Sequence, residues 1–331
     1  MNRCLKRSLY IFSWPILIAS AYYLYSYNVR HQSPSSLRML RFTQLTGIRQ
    51  LQAWASQRQD LVVDLLSQRK NDLPLNPDWR VHHISDKYFV EDMPVYVWND
   101  HGLAGQKTIF YLHGGGYIVD ATPFHFDFIR DIITRTDARL VFPVFYKTPK
   151  YSYQQAFPLV YRLYQEWADQ GPMYLMGDSA GGGFALSLAI SLKQAKAELA
   201  RHIILVSPWL DLSLEDKAYK HFEPLDPLLD LSALQLMGRF WAGKTYSVKD
   251  WQISPIYGDL SGLPPIFVSV GTHELLYWDS FRLRQAIQAS HGQIETYLGQ
   301  RMNHIFPILP IYEARPVRQR IVNLMYQESE E

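Results

Sequence analysis

Cysteine is nearly absent: the 331 residues contain one, Cys4. No intrachain disulfide is therefore available, and the body of the chain offers no thiol nucleophile. Acidic residues are missing from the first 59 positions, where eight basic residues stand before the first acid, Asp60. Internal repeats and low-complexity tracts are missing as well, and 47% hydrophobic residues exclude a disordered or collagen-like chain. A net charge of +2 gives no electrostatic footprint for nucleic acid. That value hides a division, because residues 60–331 carry 25 basic and 31 acidic residues.

Leu9–Tyr27 carries no charge and follows the basic cluster Arg3, Lys6 and Arg7. As a helix it would span about 28 Å, close to the thickness of a bilayer's hydrocarbon core. Tyr22, Tyr23, Tyr25 and Tyr27 stand where an interfacial aromatic belt would lie. Residues 1–30 are thus expected to be a membrane segment. An uncleaved single-pass anchor would leave the catalytic part outside the cytoplasm. A cleaved signal would be cut at Ala19-Ser20-Ala21 and the chain secreted, and a buried core helix is the third reading.

Residues 31–78 read as one or two amphipathic cap helices, with breaks at Gly47 and Ser56, followed by a linker containing Pro74 and Pro77. The rest, 79–331, alternates strands and helices. A hairpin is expected over Phe89–Val97, turning at Met93-Pro94. Short apolar runs follow at Thr108–Leu112, Leu140–Phe145, Met173–Met176, Ile203–Val206 and Ile266–Val270. Helical patterns occupy about 124–136, 152–169, 180–196, 279–290 and 306–326. This alternation predicts an α/β fold with a mostly parallel central sheet flanked by helices. The stretch 211–250 breaks the alternation and is expected to be a cap insertion.

Three motifs carry chemistry. Gly177-Asp178-Ser179-Ala180-Gly181-Gly182 lies between a strand and a small-residue helix, the setting in which a sharp turn holds a serine nucleophile out of the sheet. His113-Gly114-Gly115-Gly116 ends the strand Thr108–Leu112. The N–H groups of Gly115 and Gly116, with that of Ala180, are expected to donate to an oxyanion, while His113 supports the loop. A serine needs a base, and the base an orienting acid. His304, beyond the last apolar strand, suits the chain order nucleophile, acid, histidine; His273 is the alternative. Glu274 directly follows Ile266–Val270 and is the expected acid; Asp279, expected to begin or cap the next helix, is the alternative.

These motifs, with Ser207-Pro208-Trp209-Leu210-Asp211, Ser254-Pro255, Gly262-Leu263-Pro264-Pro265 and Met302-Asn303-His304-Ile305-Phe306-Pro307, resemble the α/β-hydrolase-fold esterases of the hormone-sensitive-lipase group. They occur in that group's order across about residues 85–325. The resemblance implies hydrolysis of a small carboxylic ester through an acyl-enzyme, with no metal and no cofactor, under a cap built from the N-terminal helices and the segment after Asp211. Two positions depart from the group's usual pattern: Glu274 stands where many members have Asp, and Tyr146-Lys147-Thr148-Pro149 replaces Tyr-Arg-Leu-Ala-Pro.

Short- to medium-chain acyl esters are the expected substrates. Acyl groups of the cell envelope, removed as a deacetylase or amidase would, form an alternative. A ligand receptor that has kept the fold and lost hydrolysis is another, and the presence of all three expected triad residues speaks against it.

Overall fold

The computed structural model describes residues 32–68, 71 and 84–326. The expected membrane segment and most of the expected linker lie outside the described residues. Among the described residues, no helix is long and apolar enough to cross a membrane.

Three short helices come first: α1 (Pro34–Leu45), α2 (Ile48–Ser56) and α3 (Gln59–Ser67). Gly47, with φ of 64°, separates α1 from α2, and α2 ends at Ser56, so both expected breaks occur and give three helices. The start of this segment is tied to the body: Gln32 donates to the Arg301 carbonyl at 2.6 Å, and Ser33 Oγ donates to Glu313 at 2.7 Å.

The body continues through β1 (Ile84–Val90), β2 (Met93–Trp98), β3 (Thr108–Leu112), α4 (Pro123–Thr136), β4 (Arg139–Pro143), α5 (Tyr153–Ala168), β5 (Met173–Asp178) and α6 (Ser179–Gln194). It then runs through β6 (His202–Val206), α7 (Tyr219–Phe222), α8 (Leu231–Ala242), β7 (Ile266–Gly271), α9 (Tyr277–Ala289), β8 (Ile294–Gly299) and α10 (Ala314–Tyr326). The sheet order is β1-β2-β4-β3-β5-β6-β7-β8. Among the described residues, only the β1–β2 and β2–β4 pairings are antiparallel.

Alternating side chains of the central strands divide the core into two layers. Phe110, Leu175, Leu205 and Val268 pack on one face; Tyr111, Tyr174, Ile204 and Phe267 pack on the other. Burial on both faces explains why these strands read as unbroken apolar runs. Each such side chain contributes roughly 1.5–3 kcal/mol relative to exposure. Helix α6 is likewise buried along nearly its whole length, from Ser179 to Leu192.

Three expectations need correction. The hairpin turns at Glu91-Asp92, not Met93-Pro94: Val90 pairs with Met93 and Phe89 with Pro94, and Glu91 takes φ of 53° to make the turn. Pro94, second in its strand, is tolerated because a proline near a strand end gives up little of the ladder. The pattern over 306–326 is a 3-10 turn at Phe306–Ile308 and, after a break, helix α10. β8 was not expected at all; it is a half-exposed edge strand whose sequence Ile-Glu-Thr-Tyr-Leu-Gly lacks an apolar run.

Candidate active site

The site forms at the carboxyl ends of β3, β5, β6 and β7, where open parallel sheets gather their loops. Ser179 sits at the β5–α6 junction with φ of 51°. A side chain in that left-handed conformation is strained, and its surroundings must hold it there. Gly181 lets the turn press on the backbone of Leu112 and His113, where a Cβ would collide with both carbonyls. The Ser179 carbonyl accepts the Trp209 N–H at 2.9 Å, which fixes the turn to the loop after β6.

His304 Nε2 lies 2.9 Å from Ser179 Oγ, and His304 Nδ1 lies 3.4 Å from Glu274 Oε1. All three residues are buried. The other carboxylate oxygen of Glu274 accepts from Ser207 Oγ at 2.8 Å and from the Gly271 N–H at 3.1 Å. Ser207 Oγ in turn accepts the Ile305 N–H at 3.0 Å, so one hydroxyl braces both the acid and the histidine loop. Burial pushes the Glu274 carboxyl above its usual range, against the opposing hydrogen bond and charge of His304. Burial alone would lower His304, but the hydrogen bond and charge of Glu274, with the charges of Asp226 and Asp178, carry it above its ordinary value.

His273 does not reach this arrangement as the base; His304 makes the bond to Ser179. Asp279 lies in the first turn of α9 and is committed elsewhere, accepting the Leu210 and Asp211 N–H groups at 2.5 and 3.1 Å and the Tyr219 hydroxyl.

Gly115 and Gly116 follow β3 with φ of 120° and 62°, values that favour glycine. The Gly115 carbonyl accepts from Ile118 and Val119, closing a tight turn. No acceptor among the described residues takes the N–H of either glycine. Ala180 occupies the first turn of α6, whose N–H groups have no partner within the helix and lie at its positive dipole end. His113 is a buried pillar: its Nδ1 contacts the Gly114 carbonyl at 2.6 Å, and its ring stacks on Phe145 and Phe142 at 4.8 and 5.6 Å. Burial, with the nearby Lys147 charge, lowers its pKa to about 3, so it stays neutral. Lys147 pairs with Asp120 at 2.9 Å, both buried.

Asp178 has a role that its sequence position did not reveal. Its Oδ1 accepts from Tyr111 at 2.6 Å and from the Gly114 N–H at 2.9 Å, and its Oδ2 lies 3.2 Å from His125 Nε2. Burial alone would raise this carboxyl; the His125 charge and these hydrogen bonds hold it below its usual range. Both Asp178 and Ser207 stand inside recognisable motifs, which was the available signal.

Beside Gly116, an apolar cavity of about 390 Å³ runs between α2, α3 and α8, lined by residues including Leu51, Leu66, Ile118, Val119, Leu236 and Met237. Met237 joins it to the glycine loop: its sulfur would stand 2.6 Å from a Cβ at Gly116. Among the described residues, no group of three or more His, Cys, Asp or Glu could hold a metal ion.

Comparison with known proteins agrees with this fold. A family model described as alpha/beta hydrolase fold matches residues 109–308. An esterase of Acinetobacter venetianus is 30% identical over 212 residues, which cover 61% of this chain and 70% of the relative. An acetyl-hydrolase of Streptomyces hygroscopicus is 29% identical over 214 residues, 62% of this chain and 71% of the relative. The solved structure of the HSL-homolog EstE7, from a metagenome library, superposes with a TM-score of 0.70 at 22% identity, covering 88% of this chain and 98% of that one; it speaks for the fold alone. The chain belongs to the α/β-hydrolase-fold family, among the carboxylic ester hydrolases.

Proposed function

We propose that the chain is a serine esterase that cleaves short- to medium-chain acyl esters through an acyl-enzyme. The observation that carries this reading is the continuous relay from Ser179 Oγ through His304 to Glu274, at 2.9 and 3.4 Å. His304 takes the Ser179 proton as the oxygen attacks the ester carbonyl, and Glu274 holds the imidazole's orientation and stabilises its positive charge. The N–H groups of Gly115, Gly116 and Ala180 receive the oxyanion. His304 then protonates the departing alcohol. Water enters by the same route, giving its proton to His304, and the acyl group leaves as the free acid.

The apolar cavity supports the acyl-length part of the proposal, since its volume falls within the range of small-ligand pockets. Removal of acetyl groups is the second reading, favoured by the acetyl-hydrolase among the relatives. An acetyl group would leave most of that cavity unfilled. Residues 1–30 are proposed to target the chain to a membrane, as an anchor or as a cleaved signal, on their basic-then-uncharged sequence. Hydrolysis of p-nitrophenyl acetate, butyrate, hexanoate and octanoate by the full chain tests the substrate reading. A maximum at butyrate or hexanoate agrees with it; activity confined to acetate replaces it with the second reading.

A further inference from the structure

The cap insertion sends one buried carboxylate toward the catalytic residues, and the hydrolysis steps above do not use it. Asp226 lies at the turn between α7 and α8 and is 1% exposed. Its Oδ1 accepts the N–H groups of Leu228 and Leu229 at 2.7 and 2.9 Å, which closes the turn. Its Oδ2 reaches across to the loop after β7 and accepts the Leu275 N–H at 2.8 Å, one residue beyond Glu274. The N-terminal helices grip the same residue from the other side. Arg49, on α2, donates to the Asp226 carbonyl at 2.9 Å and pairs with Glu223 at 3.5 Å. Gln52, one turn along α2, accepts the Asp230 N–H at 3.1 Å. Asp226 is thus the joint at which both pieces of the cap meet the loop that carries the acid.

We propose that Asp226 is a positioning residue for hydrolysis: it fixes the Glu274 loop through Leu275 and supplies a second negative neighbour to His304, so that the seating of the cap is transmitted to the catalytic residues. The proposal rests on the reading of His304 as the base. Burial raises the Asp226 carboxyl above its usual range, against the charge of His304 and the three backbone donors, which favour its ionised form. The charges that act on His304 come from separate elements: Glu274 after β7, Asp226 from the cap and Asp178 at the end of β5. Asp226 also acts on Glu274, where a like charge disfavours ionisation. Glu274 thus contacts the His304 ring directly, while Asp226 adds its charge from the cap side when the histidine takes the serine proton.

The test uses the full-length chain. Hydrolysis of p-nitrophenyl butyrate is measured between about pH 5 and about pH 9 for the wild type, Asp226→Asn and Asp226→Ser. Serine can still accept an N–H in the turn and so guards against a folding failure peculiar to asparagine. Near-UV circular dichroism reports whether each variant is folded. In a folded variant, the acid limb of kcat/KM moves to lower pH, because His304 has lost a negative neighbour, and kcat falls by about tenfold with little change in KM. An acid limb that stays at the wild-type position in a folded variant overturns the proposal, as does a loss carried by KM alone. Unfolding of both variants also overturns it, since Asp226 would then serve the fold. Fluorophosphonate labelling of the wild type separates the two claims. An unlabelled Ser179 sinks the reading of the site; a labelled Ser179 with an unmoved limb sinks only the role of Asp226.

Discussion

Asp178 accepts the Gly114 N–H at 2.9 Å, so the residue preceding the proposed nucleophile is bonded to the residue preceding the two proposed oxyanion glycines. The two halves of the site, on β3 and β5, are thereby held in register by one buried carboxylate. Asp178→Ala is expected to lower kcat on an aryl ester much more than it changes KM. It also strands the Tyr111 hydroxyl and His125, which should cost about 3–5 kcal/mol of stability. Steady-state kinetics and urea unfolding check the two parts separately.

The acid side of the activity profile follows from the proposed role of His304 as the base. The base must be neutral to take a proton, and its surroundings raise it above the ordinary value of 6.5. Activity is therefore expected to fall as the pH drops through that raised value, so the acid limb of kcat/KM should lie above 6.5. Glu274→Gln removes the strongest favourable neighbour; the limb should move down, and the rate should fall by about four orders of magnitude. A pH series on p-nitrophenyl butyrate measures both.

Acyl preference should respond to the cavity mouth. Val119 lines the cavity and is 48% exposed, so a larger side chain there can be accommodated at the rim without disturbing the core. Val119→Trp is expected to reduce kcat/KM for octanoate by about tenfold relative to acetate. Equal effects on both esters would show that the acyl chain lies elsewhere.

Stability should carry a separate pH signature from Asp279. Burial, followed by the charge of Asp211, raises this carboxyl from 3.8 to about 7. A raised acid stabilises the folded state fully below 3.8, and that contribution is lost as pH rises toward about 7. Asp279→Asn should be less stable than the wild type, because the amide keeps one acceptor oxygen of the two, so either the Leu210 and Asp211 N–H groups or the Tyr219 hydroxyl face an NH2 donor instead. Its stability should nevertheless decline less across that interval. Urea midpoints at a series of pH values supply the comparison.

The parts of the fold that could be read from sequence are those where burial is complete. β3, β5 and β7 sit inside the sheet, and their apolar runs leave no ambiguity. β8, half exposed at the edge, carries Glu295 and Thr296 and gives no run to read. The hairpin turn was misplaced because Pro94 is a turn residue by composition, whereas the positive φ was supplied by Glu91. At the site, the grouping of Ser179, Glu274 and His304, in which His304 lies within hydrogen-bond reach of both others, is legible because the proposed chemistry demands those residue types after successive strands. Asp226 is not, since its partner Leu275 is 49 residues away and the two meet only when the cap closes on the body.

The central claim is that Ser179 is the nucleophile of an acyl-enzyme. The most direct measurement is mass spectrometry of the full chain after treatment with a fluorophosphonate, for the wild type and for Ser179→Ala. The account predicts one adduct on the wild type, located on the peptide containing Ser179, no adduct on the variant, and ester hydrolysis lost with it. An adduct on another residue, or ester hydrolysis unchanged in Ser179→Ala, would contradict it.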